Sequence, residues 1–189
     1  GGRGFRQVLD TTSDADWALF HQRIVQQWGG LDVLINNAGI AAAGCCEDTS
    51  MADWQWIIDV DLMGVVRGCH KFLPLLRQQA GQGRKAYIIN IASFAGLSGM
   101  PGLSAYGTAK AAVIALSEHL RTELADVGVG VSVVCPAFVR TNLMDEFISN
   151  DPAVRDKVLR WMDKSGVTAD DVAEATMQAM KKQRFMVLT

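Results

Sequence analysis

A chain of 189 residues, 49% apolar and 20% charged, carries enough apolar surface for one sizeable core. Its 18 basic and 20 acidic residues leave a net charge of -2 without a long run of either sign, which argues against a nucleic-acid face, a polybasic membrane patch or an acidic tail. The longest apolar stretches, DVLINNAGIAAAG and VGVGVSVVCPAFV, are too short and too Gly-rich to span a bilayer. The amino terminus lacks a basic region followed by an apolar signal core, so a cytoplasmic location is expected.

In chain order, RQVLD (6–10) is the first strand candidate. Ser13 followed three residues later by Asp16 predicts a capped helix over about 14–28, with Trp17, Phe20, Ile24 and Trp28 at helical spacing and Gly29 as its stop. DVLIN (32–36) reads as a buried parallel strand that empties into NNAGIAAAG. A long helix over about 52–79 follows, with a wide apolar stripe through Trp54, Ile57, Leu62, Val65, Cys69 and Phe72. Pro74 is expected to kink or end it, and Gly64 and Gly68 to admit a neighbouring backbone.

AYIINIA (86–92) is a third buried strand, followed by the loop SFAGLSGMPGL and a helix over about 104–127. VGVSVVC (129–135) is a fourth strand, left by PAFVRT, and a Met/Phe/Trp-rich stretch through Met144, Phe147, Trp161 and Met162 comes next. Thr168 with Asp171 opens a last helix that ends near Lys181 and Lys182, and FMVL (185–188) begins a further strand. The alternation predicts βαβ units and a doubly wound parallel sheet, whose strand ends form the rim where open α/β sheets bind ligands. Cys45, Cys46, Cys69 and Cys135 show no CxxC pair or metal-ligand spacing, so reduced thiols are expected, with no metal site. His21, His70 and His119 likewise lie on separate predicted helices, without partners at ligand spacing.

In SAYGTAK, Tyr106 and Lys110 stand four residues apart on one face of a helix, so their polar ends reach one site. A phenol with an ordinary pKa of about 10 accepts protons poorly at neutral pH, and a nearby ammonium favours its phenolate. Tyr106 is therefore the candidate acid/base, Lys110 its electrostatic partner, and Ser93, thirteen residues upstream, a donor to an oxygen on which charge develops. A YxxxK pair alone is weak; as an isolated pattern it is an ordinary amphipathic helix with a solvated lysine. GIAAAGCC lacks the Lys and Ser/Thr of a P-loop, and GLSAYG lacks the glycine pattern of a nucleophile elbow, which disfavours a hydrolase.

Taken together, NNAG at 36–39, Ser93, YGTAK at 106–110 and PAFVRT at 136–141 resemble the short-chain dehydrogenase/reductases in order and spacing over most of the chain. The resemblance implies a Rossmann-like fold and hydride exchange between NAD or NADP and a small-molecule carbonyl or secondary alcohol, apolar in character. It implies catalytic roles for Ser93, Tyr106, Lys110 and, at the position of a family Asn, Asp61. Cofactor contacts are implied for Asp10, Thr11, Asn37, Ala38, Gly39, Tyr106, Lys110, Val139 and Thr141, and a homodimer or homotetramer for the assembly. An apolar substrate side is expected from Leu97, Met100, Phe138 and Met144.

Three departures qualify it. The family's opening strand and Gly-rich pyrophosphate turn are absent, since GGRGF neither follows a strand nor opens a helix. The chain is thus expected to be one Rossmann-like domain over 1–189 lacking its first strand-helix-strand unit, cut also after FMVL, with 6–10 left without its ladder neighbour. Asp61 in place of Asn brings a negative charge that, close to Lys110, weakens the pull of that cation on the phenol, which predicts slower or higher-pH catalysis. Ala137 in place of a family Gly requires φ below zero and adds a methyl near the nicotinamide. The competing expectation is a non-catalytic relative that binds cofactor or serves assembly.

Overall fold

The structure, a computed structural model, describes residues 4–139, 141, 147–149 and 152–189. Helix α1 (Asp14–Trp28) begins where the Ser13 side chain accepts the Asp16 N–H and ends at Gly29, whose φ of 71° closes the last turn. Strand β1 (Val33–Asn36) follows, then a two-residue strand β2 (Ala42–Ala43). A helical rod runs from α2 (Met51–Ile58) through a π turn (Asp59–Met63) into α3 (Gly64–Gly81). Strand β3 (Ala86–Ile91), a 3₁₀ turn (Phe94–Gly96), α4 (Ser104–Glu123), a second 3₁₀ turn (Ala125–Val127) and β4 (Val129–Cys135) make the centre. The chain continues through β5 (Ile148–Ser149), α5 (Pro152–Ser165), α6 (Ala169–Lys182) and β6 (Met186–Leu188).

Four strands form a parallel sheet in the order β1-β3-β4-β6, and β2 pairs with β5 in a separate parallel ribbon. Successive strand residues serve opposite faces. Ile88 and Val133 pack with α1, α3 and α4 around the fully buried Phe72, whereas Ile89 and Val134 pack with Ala179 of α6. Both faces are therefore covered, which is why the strands read as unbroken apolar runs rather than alternating ones. A third cluster, Ile40, Ala42, Ile57, Ala105 and Ala109, joins α2 to α4 beneath the loop that leaves β1.

Across the first layer runs a buried polar chain. The Asn36 amide donates to Asn90 Oδ1 at 2.8 Å, the Asn90 amide donates to Ser117 Oγ at 3.0 Å, and the Ser117 hydroxyl donates to the Val113 carbonyl at 2.7 Å. It fixes the ends of β1 and β3 to α4, each member having a partner, as a buried polar group requires.

The capping box at Thr168 and Asp171 is present, and α6 ends at Lys182 as its sequence predicts. Residues 6–10, the first strand candidate, belong to no strand, and no described strand lies beside them, in line with a segment left without its ladder neighbour; Phe5 just before it packs against Phe20 and Trp28. Three details differ from expectation. Pro74 lies inside α3, which continues to Gly81; the ring removes one backbone donor, and the buried stripe through Phe72, Leu75 and Leu76 outweighs that loss. The α-helical part of 104–127 stops at Glu123, where the tighter 3₁₀ turn leads to Gly128 at φ 73°. Gly64 and Gly68 admit side chains more than backbone: an added Cβ at Gly68 would sit 2.3 Å from Asn36 Oδ1.

The turn after β3 presses on α4. A Cβ at Gly96 would lie 2.7 Å from Ala111 N and from the Lys110 carbonyl carbon, and one at Gly107 would lie 3.1 Å from the Ala95 carbonyl oxygen. Two backbones thus meet where either side chain would part them. Gly96→Ala is expected to cost about 1–3 kcal/mol by overpacking, measured by denaturant unfolding; unchanged stability would contradict this contact.

Cys45 and Cys46 are exposed, while Cys69 and Cys135 are buried. Burial pushes the Cys69 thiol up to about 12 and that of Cys135 up to about 11, so both stay protonated at neutral pH. Alkylation of the native protein, mapped by mass spectrometry, should mark Cys45 and Cys46 and reach Cys69 and Cys135 only after denaturation.

Candidate active site

The site begins at the π turn. There the Gly64 N–H reaches back to the Asp59 carbonyl, a bond one residue longer than the α pattern, and Asp61 is turned fully inward. Its Oδ1 accepts the Ile40 N–H at 2.8 Å, pinning the loop after β1, and its Oδ2 lies 3.3 Å from Lys110 Nζ. Lys110 is itself only 4% exposed, and its Nζ also donates to the Ile91 carbonyl at the end of β3, at 3.4 Å. Burial pushes the Asp61 carboxyl upward, and the Lys110 ammonium together with the Ile40 N–H partly offsets this.

Gly39 closes this cradle from above. A Cβ there would stand 3.2 Å from Lys110 Nζ and 3.3 Å from Asp61 Oδ1. One turn before Lys110 on α4, Tyr106 places its ring centroid 5.6 Å from Nζ. Ser93 is buried in extended backbone at the end of β3; its Oγ accepts the Ala95 N–H at 3.2 Å, which leaves its own O–H to be donated. The Phe94 N–H donates to the Pro136 carbonyl at 2.9 Å and so ties this strand end to the segment leaving β4.

Two cavities adjoin here. The first, about 520 Å³, has Ser93 and Tyr106 in its wall with apolar groups such as Ala42, Met100 and Phe138. The second, about 580 Å³, is lined by Asn37, Ala38, Gly39, Lys110, Val139 and Thr141, and again by Ser93 and Tyr106. Ser93, Tyr106, Ala137 and Met162 line both. Ala137 sits in this partition without positive φ, since Gln183 is the one non-glycine residue with positive φ among the described residues.

Of the sequence-predicted residues, Asp61 lies behind the cavities, against Lys110, and Asp10, Thr11 and Leu97 line neither of them. Asp10 accepts from the Thr12 N–H at 2.9 Å and from its hydroxyl at 2.8 Å, bonds that hold its carboxyl below the usual carboxylate range. The Thr11 carbonyl accepts the Trp17 indole N–H at 3.0 Å. Both serve the entry to α1 and line neither cavity. Leu97 is 44% exposed and outside both, Met100 and Phe138 line the first, and Met144 falls outside the described residues. Sequence reasoning missed Ala41–Ala43 and, from α6, Thr176 and Met177 as wall residues; the small-residue run AAA after NNAG was the available signal. Among the described residues there is no cluster of His, Cys, Asp or Glu able to hold a metal ion, and no helix is long and apolar enough to cross a membrane.

The second cavity has room for the ribose end of a dinucleotide, and its floor is a paired cation. The family model for short chain dehydrogenases matches residues 2–152. The chain is 37% identical over 177 residues to the 2-(R)-hydroxypropyl-CoM dehydrogenase of Xanthobacter autotrophicus, covering 91% of this chain and 68% of that protein. It is 32% identical over 192 residues to the "Probable oxidoreductase EphD" of Mycobacterium tuberculosis, covering 97% of this chain, and spans only about a third (32%) of that protein's length. A crystal structure of a short chain dehydrogenase/reductase from Burkholderia phymatum in complex with NAD superposes with a TM-score of 0.86 at 32% identity, over 95% of this chain and 68% of that one. On the strength of its sheet, its rim and these matches, the chain belongs to the short chain dehydrogenase family.

Proposed function

We propose that this chain is the catalytic part of an NAD(P)-dependent oxidoreductase that interconverts a small, largely apolar ketone or aldehyde and its alcohol. The observation that carries the reading is the shared wall: Ser93 and Tyr106 face both cavities, while Lys110 opens only on the second. A substrate oxygen in the first cavity and a cofactor in the second would meet at these two hydroxyls.

In the reducing direction the Tyr106 O–H gives its proton to the carbonyl oxygen as negative charge develops there, and the Ser93 O–H donates to the same oxygen. A nicotinamide held in the second cavity would supply the hydride. Lys110 stabilises the phenolate left on Tyr106, and Asn37, Ala38, Gly39, Val139 and Thr141 line the space the cofactor would occupy. Asp10 and Thr11 line neither cavity, and the contact the resemblance gives them, near the adenine of the cofactor, is part of the same proposal. Assembly as a homodimer or homotetramer through the long helices accompanies this reading.

Asp61 sets the working range. Its carboxylate cancels part of the Lys110 charge, so the phenolate is less favoured than beside an unpaired ammonium. Asp61→Asn removes that opposing charge. In the alcohol-oxidising direction the rising limb of the pH-rate profile should move to lower pH, and an unchanged profile would remove this role.

Tyr106→Phe in the complete protein is expected to lower turnover of a responsive ketone by about 10²–10⁴-fold with cofactor affinity changed only a few-fold, followed by nicotinamide absorbance and fluorescence titration. Full activity of this variant would overturn the reading. Cofactor binding by the unaltered protein without turnover across a ketone panel would favour a non-catalytic relative instead.

A further inference from the structure

We infer that Ala137 is a specificity-determining residue that limits one arm of the reacting carbon to hydrogen or methyl, so that the protein takes aldehydes, methyl ketones and their alcohols rather than ketones bulky on both sides. This inference rests on the assignment of the first cavity to the substrate and the second to the cofactor.

The limit lies in the partition between the two cavities. Four described residues line both of them: Ser93, Tyr106, Ala137 and Met162. A carbonyl carbon that receives a hydride from the second cavity, while its oxygen accepts from the two hydroxyls, has to sit at this partition. One of its arms then runs into the first cavity, whose volume of about 520 Å³ takes a large group. The other arm stays at the partition, against Ala137 and Met162.

These two walls differ in how far they yield. Met162 is an unbranched thioether with several rotatable bonds, and it can turn aside for a larger neighbour. Ala137 has no rotamer to change, and the backbone that carries it is tied at three consecutive residues. The Pro136 carbonyl accepts the Phe94 N–H at 2.9 Å, the Ala137 N–H donates to the Thr189 carbonyl at 3.0 Å, and the Phe138 carbonyl accepts the Ser165 hydroxyl. The tethers run to the turn after β3, to the residue after β6 and to the last residue of α5. Shifting the Ala137 methyl therefore means giving up one of these bonds. The side chain is exposed, and both cavities open on it. A small arm passes this methyl, whereas each further carbon on that arm presses against a wall that does not retreat.

The test is binding, measured by calorimetry on the complete protein saturated with the reduced nicotinamide cofactor, under which an alcohol binds without giving up a hydride. Two probes differ by one methylene in the small arm, 1-(2-naphthyl)ethanol and 1-(2-naphthyl)-1-propanol. The unaltered protein should bind the first at least about tenfold more tightly. Ala137→Gly removes the volume that the extra methylene needs, and it should narrow the gap to about threefold or less by strengthening the propanol. Ala137→Val should weaken the ethanol itself by at least about tenfold. General loosening of the fold would weaken both probes together and leave their ratio unmoved. Equal affinities in the unaltered protein, a gap unchanged by Ala137→Gly, ethanol binding undiminished by Ala137→Val, or binding of neither probe would overturn the inference; where one variant fails to fold, the other decides. Discrimination relieved by Ala137→Gly in a protein that oxidises neither alcohol would defeat the oxidoreductase reading and leave this one standing, and oxidation of both at equal affinity would do the reverse.

Discussion

The buried contact between Asp61 and Lys110 organises the rest of the site. Each side chain alone would be a charge out of water, and together they are tolerable only because both ends are further satisfied, Asp61 by the Ile40 N–H and Lys110 by the Ile91 carbonyl. Those two extra bonds reach the loop after β1 and the end of β3. Four segments distant in sequence are therefore drawn to one point: the π turn, the NNAG loop, a strand end and α4. Gly39 is bare because anything larger would push into that point. An amide at position 61 would preserve the Ile40 bond but change the electrostatics, so the same geometry holds with a different proton affinity.

Around this point the sheet contributes alignment rather than chemistry. Parallel pairing places Asn36 opposite Asn90, and the amide chain through Ser117 locks that register to α4, the helix that carries Tyr106. Ser93 comes to the same height because the turn behind it packs on α4 through Gly96 and Gly107, with no side chain between the backbones. The relative placement of the two hydroxyls follows from a network in the core and a close backbone approach, both of them away from the reacting atoms.

Much of this was legible in the residues themselves. The cap at Ser13, the capping box at Thr168, the buried runs at 33–36, 86–91 and 129–135, and the Tyr106–Lys110 spacing are local signals, and local physics places them. What could not be read depends on partners far along the chain. Pro74 breaks isolated helices, yet a fully buried Phe72 and Leu76 hold α3 together through it. Asp10 and Thr11 also hold the entry to α1, through the Thr12 N–H and the Trp17 indole, contacts that no local signal announces. The π turn left no mark in the periodicity, because its extra residue shows only as a change of phase between the stripes of α2 and α3.

That change of phase divides one rod between two clients. Before it, Ile57 faces the small cluster shared with Ala105 and Ala109; after it, Val65, Cys69 and Phe72 face the main core against the sheet. The break falls on the segment that carries Asp61. Insertions or deletions between positions 59 and 63 would therefore shift hydrophobic register and carboxylate together, whereas length changes near 51 or 81 would alter neither. Variation in helix length among natural relatives should accordingly be confined to the two extremities of this rod, with its midpoint closed to it.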